Sequence, residues 1–178
     1  MKSKLNQSKL KLAIVSAMLL GTAGITAPAY ALDANLSVSA SIDMSCSITT
    51  TSLSFGDYEP GSTHATAPLN AEGGVSSTCT TGSSGNIKMG QGANTTGTSS
   101  TDAIPLRRMV AAGDADSFLN YGLFTNTDRL TAWENATGVP YTGTGLAQAL
   151  VVYGSIDPGQ TSAVVGSYTD TITVSINY

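Results

Sequence analysis

The sequence predicts an all-β sandwich, and three observations support this fold class. Short runs of alternating apolar and polar residues recur along the chain, with Gly, Asn, Asp and Pro between them. Beyond residue 31, no long segment places apolar residues at helical spacing. Charged residues make up only 11% of the chain, whereas Gly, Ser, Thr, Ala and Val dominate it. This composition is typical of a sandwich built from many short strands.

The first 31 residues have the pattern of a secretory signal peptide. Four lysines precede an apolar run over residues 12–25, and Ala29 and Ala31 occupy the positions that a signal peptidase reads. The run is interrupted and shorter than the roughly 20 residues that a membrane-spanning helix needs. We therefore expect residues 1–31 to be removed during export, with cleavage after Ala31.

Removal of the signal peptide makes the chain strongly acidic. The remaining 147 residues contain four basic and twelve acidic side chains, a net charge of −8. The basic residues are too few to form a patch that neutralises phosphates. Nucleic acid and anionic membrane surfaces are therefore not expected partners. A chain of this length suits one domain with a sizeable core.

The two cysteines, Cys46 and Cys79, both lie in the exported part of the chain. In an oxidising compartment the simplest interpretation of such a pair is a disulfide. A metal-binding or redox pair is disfavoured, because the two residues lack the short spacing and the histidine partners of such sites. Closing a loop of this length stabilises a fold by roughly 3–4 kcal/mol on the chain-entropy model.

The longest predicted strand covers residues 36–48. Every odd-numbered residue in this range is Ser or Asp, and every even-numbered one is apolar or cysteine. Because side chains reverse at each residue of a strand, the apolar set lies on one face. The range exceeds the usual strand length, so we interpret it as two functional segments in sequence. The apolar set comprises Leu36, Val38, Ala40, Ile42, Met44, Cys46 and Ile48.

Further strands are predicted along the rest of the chain. They cover residues 75–80, 86–89, 119–124, 147–156 and 171–178. The strand over 147–156 is largely apolar, so we expect it to be buried on both faces. Residues 90–103 are mostly Gly, Ser, Thr and Asn, which predicts an exposed, mobile loop. In the last strand Ile172, Val174, Ile176 and Tyr178 share a face, and we expect the terminal tyrosine to be pinned inside the sheet.

The sequence offers little basis for catalysis or metal binding. His64 is the single histidine and lies in a loop-like stretch without a nucleophile motif, so we interpret it as a solvated loop residue. The acidic residues are scattered and do not form the array of a calcium loop. Trp133 and Tyr121 are interpreted as core anchors rather than as a sugar-binding platform. We therefore predict a non-enzymatic protein without a metal or cofactor.

An ordered set of motifs resembles the spore coat protein U domain family, and in particular the pilin subunits of archaic chaperone–usher pili of the Csu type. The most specific motif is Gly-x-Tyr-x-Asp, at residues 166–170, directly before the alternating C-terminal strand. The other motifs are the alternating segment that runs into Cys46, then Leu53-Ser54-Phe55-Gly56, Cys79 within 75–79, residues 119–124, Asp128-Arg129 with Trp133, and residues 153–160.

The resemblance implies an immunoglobulin-like β-sandwich that lacks its last strand and is completed by a donated strand. It predicts a signal peptide at 1–31, a donor-strand segment at 32–43 and a pilin domain at 44–178. The predicted donor side chains are Leu36, Val38, Ala40 and Ile42, and the acceptor cleft lies beside the C-terminal strand. The implied partners are a periplasmic chaperone, an outer-membrane usher and other copies of the chain or sibling pilins. The implied location is a pilus at the cell surface, reached through the periplasm.

Three alternatives remain at this stage. The first alternative is that residues 36–48 are simply the first strand of a complete sandwich. The second is that the chain is a secreted spore-coat-like or carbohydrate-binding sandwich that folds alone. The third is that the chain is a secreted hydrolase, a hypothesis that depends on the single histidine.

Overall fold

A computed structural model describes residues 29–95 and 99–178 of the chain. The chain divides into an N-terminal unit, Met1–Ala40, and a body, Ser41–Tyr178. Of the expected signal peptide, residues 1–28 lie outside the described residues. Within the described ranges, no helix is long and apolar enough to cross a membrane.

The described residues form nine strands, and the predicted all-β fold class is confirmed. A six-stranded sheet has the order β1-β2-β7-β5-β4-β8, and a three-stranded sheet has the order β6-β3-β9. All of the pairings are antiparallel. The strands are β1 (Cys46–Thr51), β2 (Leu69–Cys79), β3 (Ser84–Met89), β4 (Arg107–Ala111), β5 (Asp114–Phe124), β6 (Val139–Thr142), β7 (Ala147–Ile156), β8 (Tyr168–Thr169) and β9 (Val174–Asn177).

The core lies between the two sheets and is organised around Trp133. This side chain is 1% exposed, and its indole N–H donates to the Ile87 carbonyl oxygen at 2.9 Å. Apolar side chains from β2, β7 and β5 pack against others from β3. The predicted role of Trp133 as a core anchor is confirmed, and Tyr121 packs against the same cluster as a half-buried side chain.

Strand β7 has the predicted bounds, but the expectation of burial on both faces is wrong for its first half. Ala147, Ala149 and Val151 are exposed, whereas Gly154, Ser155 and Ile156 are buried. The physical reason is that one face of an antiparallel sheet can remain open to solvent. The alternation of exposed and half-buried positions in this half follows from that arrangement.

The predicted strand over residues 36–48 is wrong for its first ten residues. Residues 29–45 form no strand, and β1 begins at Cys46. Strand β2, the partner of β1, ends at Cys79, and the following residue closes the pairing with a 2.9 Å bond from the Thr80 N–H to the Ser45 carbonyl oxygen. The earlier residues have the pattern of a strand, but β2 offers no backbone opposite them.

The predicted C-terminal strand is also shorter than expected. Strand β9 covers Val174–Asn177, so Ile172 precedes it and Tyr178 follows it. Tyr178 is 59% exposed, and the expectation that it is pinned inside the sheet is wrong. The reason is that the pairing of β9 with β3 reaches only as far as Asn177, opposite Asn86.

The predicted loop over 90–103 forms no strand in its described parts, but it is not uniformly exposed. Ser100 is buried, and its hydroxyl accepts a hydrogen bond from the Leu106 N–H at 2.9 Å. The Arg108 side chain donates to the Asn94 carbonyl oxygen at 2.6 Å. Residues 96–98 lie outside the described residues. Composition alone did not reveal these bonds, because both donors, Leu106 and Arg108, lie outside the loop.

The predicted disulfide is confirmed. Cys46 and Cys79 are bonded to each other and are direct partners in the register of β1 and β2. The bond therefore ties the first residue of β1 to the last residue of β2. It also marks the start of the sheet, directly after the residues that form no strand.

Removing this bond should destabilise the body. We expect the Cys46→Ser, Cys79→Ser double variant to lose about 3–4 kcal/mol of unfolding free energy, because the unfolded chain regains the entropy of the open loop. Urea unfolding of residues 32–178 measures the loss, and wild-type protein under reducing conditions should show the same shift. Equal midpoints for oxidised and reduced protein would contradict the prediction.

Candidate functional site: an open groove between two sheet edges

A groove of about 370 Å³ opens in the body between two edge strands. Strand β1 is the first strand of the six-stranded sheet, and β9 is the last strand of the three-stranded sheet, so each has one neighbour in the described sheets. One wall of the groove consists of residues 50–55, at the end of β1 and beyond it. The other wall consists of residues 168–174, which lead into β9.

The floor of the groove is the hydrophobic core itself. Val75, Met89 and Val152 are at most 5% exposed to water, yet they line the groove. The groove therefore reaches the layer between the two sheets. Its apolar lining comprises Leu53, Phe55, Val75, Met89, Met109, Leu123, Val152, Ile172 and Val174.

A second cavity of about 560 Å³ continues the groove along the same two walls. It lies between residues 53–60 and residues 163–168, with Leu119 and Ile156 in its lining. Both cavities are lined by Leu53, Phe55, Met109 and Tyr168. The shared residues place the two cavities next to each other along the same walls, and they are the first and second parts of the groove.

Two glycines allow the first wall to lie close against the sheet. A Cβ atom at Gly154 would lie 2.7 Å from the Leu53 Cδ1 atom and 2.9 Å from the Phe55 Cζ atom. A Cβ atom at Gly73 would lie 2.9 Å from the Leu53 Cβ atom. Since real Cβ atoms do not approach so closely, a side chain at Gly73 would push the Leu53 backbone away from the sheet, whereas one at Gly154 would displace the flexible ends of the Leu53 and Phe55 side chains.

Hydrogen bonds from the six-stranded sheet fix the second wall. The Tyr168 hydroxyl donates to the Val164 carbonyl oxygen at 2.7 Å and is bonded to the Ser117 hydroxyl at 2.8 Å. Further along the wall, the Tyr121 hydroxyl donates to the Asp170 carboxylate at 2.7 Å. Burial and this bond to Asp170 raise the pKa of Tyr121, so the phenol stays protonated and remains a donor at neutral pH.

A buried arginine lies behind the groove. Arg107 is 2% exposed, and its guanidinium donates to the carbonyl oxygens of Met89, Gly90 and Trp133 at 3.2, 2.9 and 2.6 Å. Burial lowers the pKa of Arg107 to about 10, so the side chain remains charged at neutral pH. The charge joins β4 to the end of β3 and to the loop that carries Trp133.

The structure brings only part of the predicted site together. Ile172 and Val174 line the groove, and Ile176 packs against the core at its edge. The predicted donor residues lie in the segment without a strand, and the Leu36, Val38 and Ile42 side chains are 88%, 85% and 87% exposed. Their role as donors, together with that of Ala40, stays a prediction.

Some residues of the site were missed at the level of sequence. Met109 lies on a short strand that the alternation pattern did not reveal, and it lines both parts of the groove. In the sequence, Asp170 stands out only as the last residue of the Gly-x-Tyr-x-Asp motif. The motif could have signalled a structural role, but the partner Tyr121 lies 49 residues away in the chain.

His64 belongs to a local turn. Its Nδ1 atom accepts the Glu59 N–H at 3.0 Å, and its ring stacks on Tyr58 with centroids 5.3 Å apart. The neighbouring hydroxyls of Ser62 and Thr63 donate to the Glu59 carboxylate, and these bonds lower the pKa of Glu59. Neither hydroxyl pairs with the imidazole as a nucleophile would. In the described parts of the chain, no three His, Cys, Asp or Glu side chains group as metal ligands.

The described body is thus a two-sheet sandwich with a core that is open along one side, and its sequence places it in a known class. Residues 32–175 match the Spore Coat Protein U domain, and the chain belongs to this family. It is 36% identical to Protein U of Myxococcus xanthus over 182 residues, which cover 98% of this chain and 100% of that protein.

Two solved structures are similar at lower identity. One is a chain of the crystal structure of the CsuC–CsuE chaperone–tip adhesion subunit pre-assembly complex from archaic chaperone–usher Csu pili of Acinetobacter baumannii. The TM-score is 0.46 and the identity 18%, over 77% of this chain and 40% of that chain, so the protein spans less than half of its length. The other is HdaB, the minor tip subunit of the E. coli Hda pilus, with a TM-score of 0.41 and 14% identity over 74% of this chain and 80% of that chain.

The glycine under the first wall can be tested directly. We expect Gly73→Ala to cost about 1–3 kcal/mol of unfolding free energy, because the new methyl group would lie 2.9 Å from the Leu53 Cβ atom and 3.0 Å from the Thr51 carbonyl oxygen, and neither can move without a shift of the backbone. Gly61→Ala is the matched control, since a Cβ atom there would meet nothing within 4 Å. Urea unfolding of both variants measures the difference, and equal stabilities would contradict the packing described here.

Proposed function

We propose that the chain is a structural, non-catalytic subunit of a surface pilus and is assembled by donor-strand exchange on the chaperone–usher route. The observation that carries this proposal is the apolar groove that opens onto the core between β1 and β9. Membership of the Spore Coat Protein U domain family supports a structural role for the chain.

The groove has the two properties that favour an added strand. Its floor is apolar, and both of its walls adjoin strands that have a free edge in the described sheets. An exposed edge presents unpaired N–H and carbonyl groups, and an extended peptide can pair with them while its alternate side chains enter the groove. A donated strand would therefore gain both ladder hydrogen bonds and apolar burial.

The segment at residues 33–43 suits the role of donor. Its even-numbered side chains are apolar, and it forms no strand in the single chain. Full burial of Leu36, Val38 and Ile42 with the smaller Ala40 contributes roughly 5–9 kcal/mol before the cost of ordering the segment. Eleven extended residues span at most about 36 Å, which suits a groove with two consecutive parts.

The proposed assembly route has two steps. A strand from a periplasmic chaperone fills the groove first and keeps the core out of water. At an outer-membrane usher, the donor segment of another copy or of a sibling pilin then replaces that strand. Because each subunit donates to one neighbour and accepts from another, the contact does not close on itself and a filament grows. At the cell surface the filament would support adhesion or biofilm formation.

One observation favours a second candidate function. The family takes its name from a spore coat protein, and Protein U is similar to this chain over the whole of its own length. A coat protein that folds alone would be a soluble monomer, with its groove filled from its own chain or left open. The state of association therefore distinguishes the two candidates.

Deleting residues 33–43 should abolish strand-exchanged polymers. We expect unheated wild-type protein from the cell surface to form a ladder on a denaturing gel that collapses on boiling, because such polymers are kinetically stable. The deletion variant should run as a monomer before and after heating. Polymers that persist in the deletion variant would show that another segment is the donor, and a wild-type monomer would favour the coat protein.

The face of the donor that enters the groove can be tested with a matched pair of substitutions. We expect Val38→Asp to reduce polymer yield at least tenfold, because a carboxylate would enter an apolar groove without a partner. Ser39→Asp adds the same charge on the opposite face of the extended segment and should assemble like wild type. Densitometry of the unheated gel measures both, and equal losses would argue against the predicted alternation.

A further inference from the structure

The second wall of the groove changes sheets within a few residues. Tyr168–Thr169 pair with β4 of the six-stranded sheet, whereas Val174–Asn177 pair with β3 of the three-stranded sheet. The residues 170–173 between them belong to neither sheet. A segment that leaves one ladder before joining another has backbone groups that need other partners.

The Asp170 carboxylate supplies one of these partners, for the Thr171 N–H, and it also binds three groups outside the segment. Its Oδ1 atom accepts the N–H groups of Ala93 and Thr171 at 2.9 and 2.8 Å, and the Asn94 side-chain amide at 3.1 Å. Its Oδ2 atom accepts the Tyr121 hydroxyl at 2.7 Å. One half-buried carboxylate thus joins the wall, the loop over residues 90–94 and strand β5.

Two features of the loop fit this carboxylate. Gly92 has a φ angle of 97°, and a Cβ atom there would collide with the Asp170 carboxylate. The Arg107 guanidinium takes the carbonyl oxygens of Met89 and Gly90, at the start of the same loop. Arg107 therefore holds the loop through its carbonyl groups, and Asp170 holds it through the Ala93 N–H group.

We propose that the Asp170–Tyr121 pair is a latch that positions the second wall and holds the groove open before a donor strand arrives. This inference rests on the proposed function, because it assigns the latch to the acceptance of a strand. Asp170, Tyr121 and Met89 all line the first part of the groove. Tyr121 lies on β5, whereas Asp170 lies in the second wall. The hydrogen bond between them therefore sets the distance between this wall and the sheet.

The latch acts through preorganisation. A wall that is already in place does not have to be ordered when the strand binds, and less of the binding free energy is lost. Hydrogen bonds to a charged acceptor are among the stronger ones in proteins. Loss of the Tyr121 hydroxyl should therefore loosen residues 170–173 without removing the tyrosine ring, which packs edge-on to Phe55 with centroids 6.0 Å apart.

The test compares Tyr121→Phe with Tyr153→Phe in the full exported chain. Tyr153 lies on β7 outside the groove lining and serves as the matched control. A fluorescent peptide with the sequence of residues 33–43 is added in excess, and its rate of capture is followed by anisotropy. We expect capture by Tyr121→Phe to be about tenfold slower than by wild type, and capture by Tyr153→Phe to be unchanged.

Hydrogen exchange provides a second, independent readout. The amides of Ala93 and Thr171 should exchange about tenfold faster in Tyr121→Phe, while those of β7 keep their wild-type rates. The latch is overturned if Tyr121→Phe captures the peptide at the wild-type rate and its Ala93 and Thr171 amides exchange at the wild-type rate.

The failure of the proposed function is distinguishable from the failure of the latch. If wild-type protein captures no peptide, strand acceptance is wrong, and exchange alone then decides whether the latch holds the wall. Faster exchange at Ala93 and Thr171 supports it, and unchanged exchange overturns it. A capture rate that falls equally in both variants would also overturn it, because the effect would not be specific to the groove.

Discussion

Val75, Met89 and Val152 are buried in the core of the body, yet they form the floor of a groove that opens to the surface. This opening is the constraint on which the other features depend. Apolar surface beside two strand edges is costly in water, and it is removed most simply by another strand between those edges. In the proposed function, this cost is the driving force for accepting a donated strand.

Each wall of the groove is shaped by a different device. The absence of side chains at Gly73 and Gly154 lets the first wall, with Leu53 and Phe55, lie close against the sheet. The second wall is held from the side by the Tyr121 hydroxyl and the Asp170 carboxylate at the point where the chain changes sheets. Close packing and charge-assisted bonding together keep the groove at a defined width.

The disulfide fixes the point at which the sheet of the body begins. It ties Cys46 to Cys79, where β1 first pairs with β2, and the preceding residues are left without a strand. In the proposed assembly those preceding residues belong to the neighbouring subunit's sandwich. In that assembly, the covalent bond would lie at the boundary between the donated segment and the part of the chain that forms its own fold.

The sequence by itself determined the all-β class, the bounds of β7, the disulfide and the core position of Trp133, because alternation, cysteine count and aromatic size are local properties. It also marked residues 36–48 as strand-forming, but it did not show that β1 begins only at Cys46. Only the tertiary structure decided which edges remain unpaired and which side chains line the groove. Those features depend on the order of strands in the sheets, and that order is set by contacts between residues far apart in the chain.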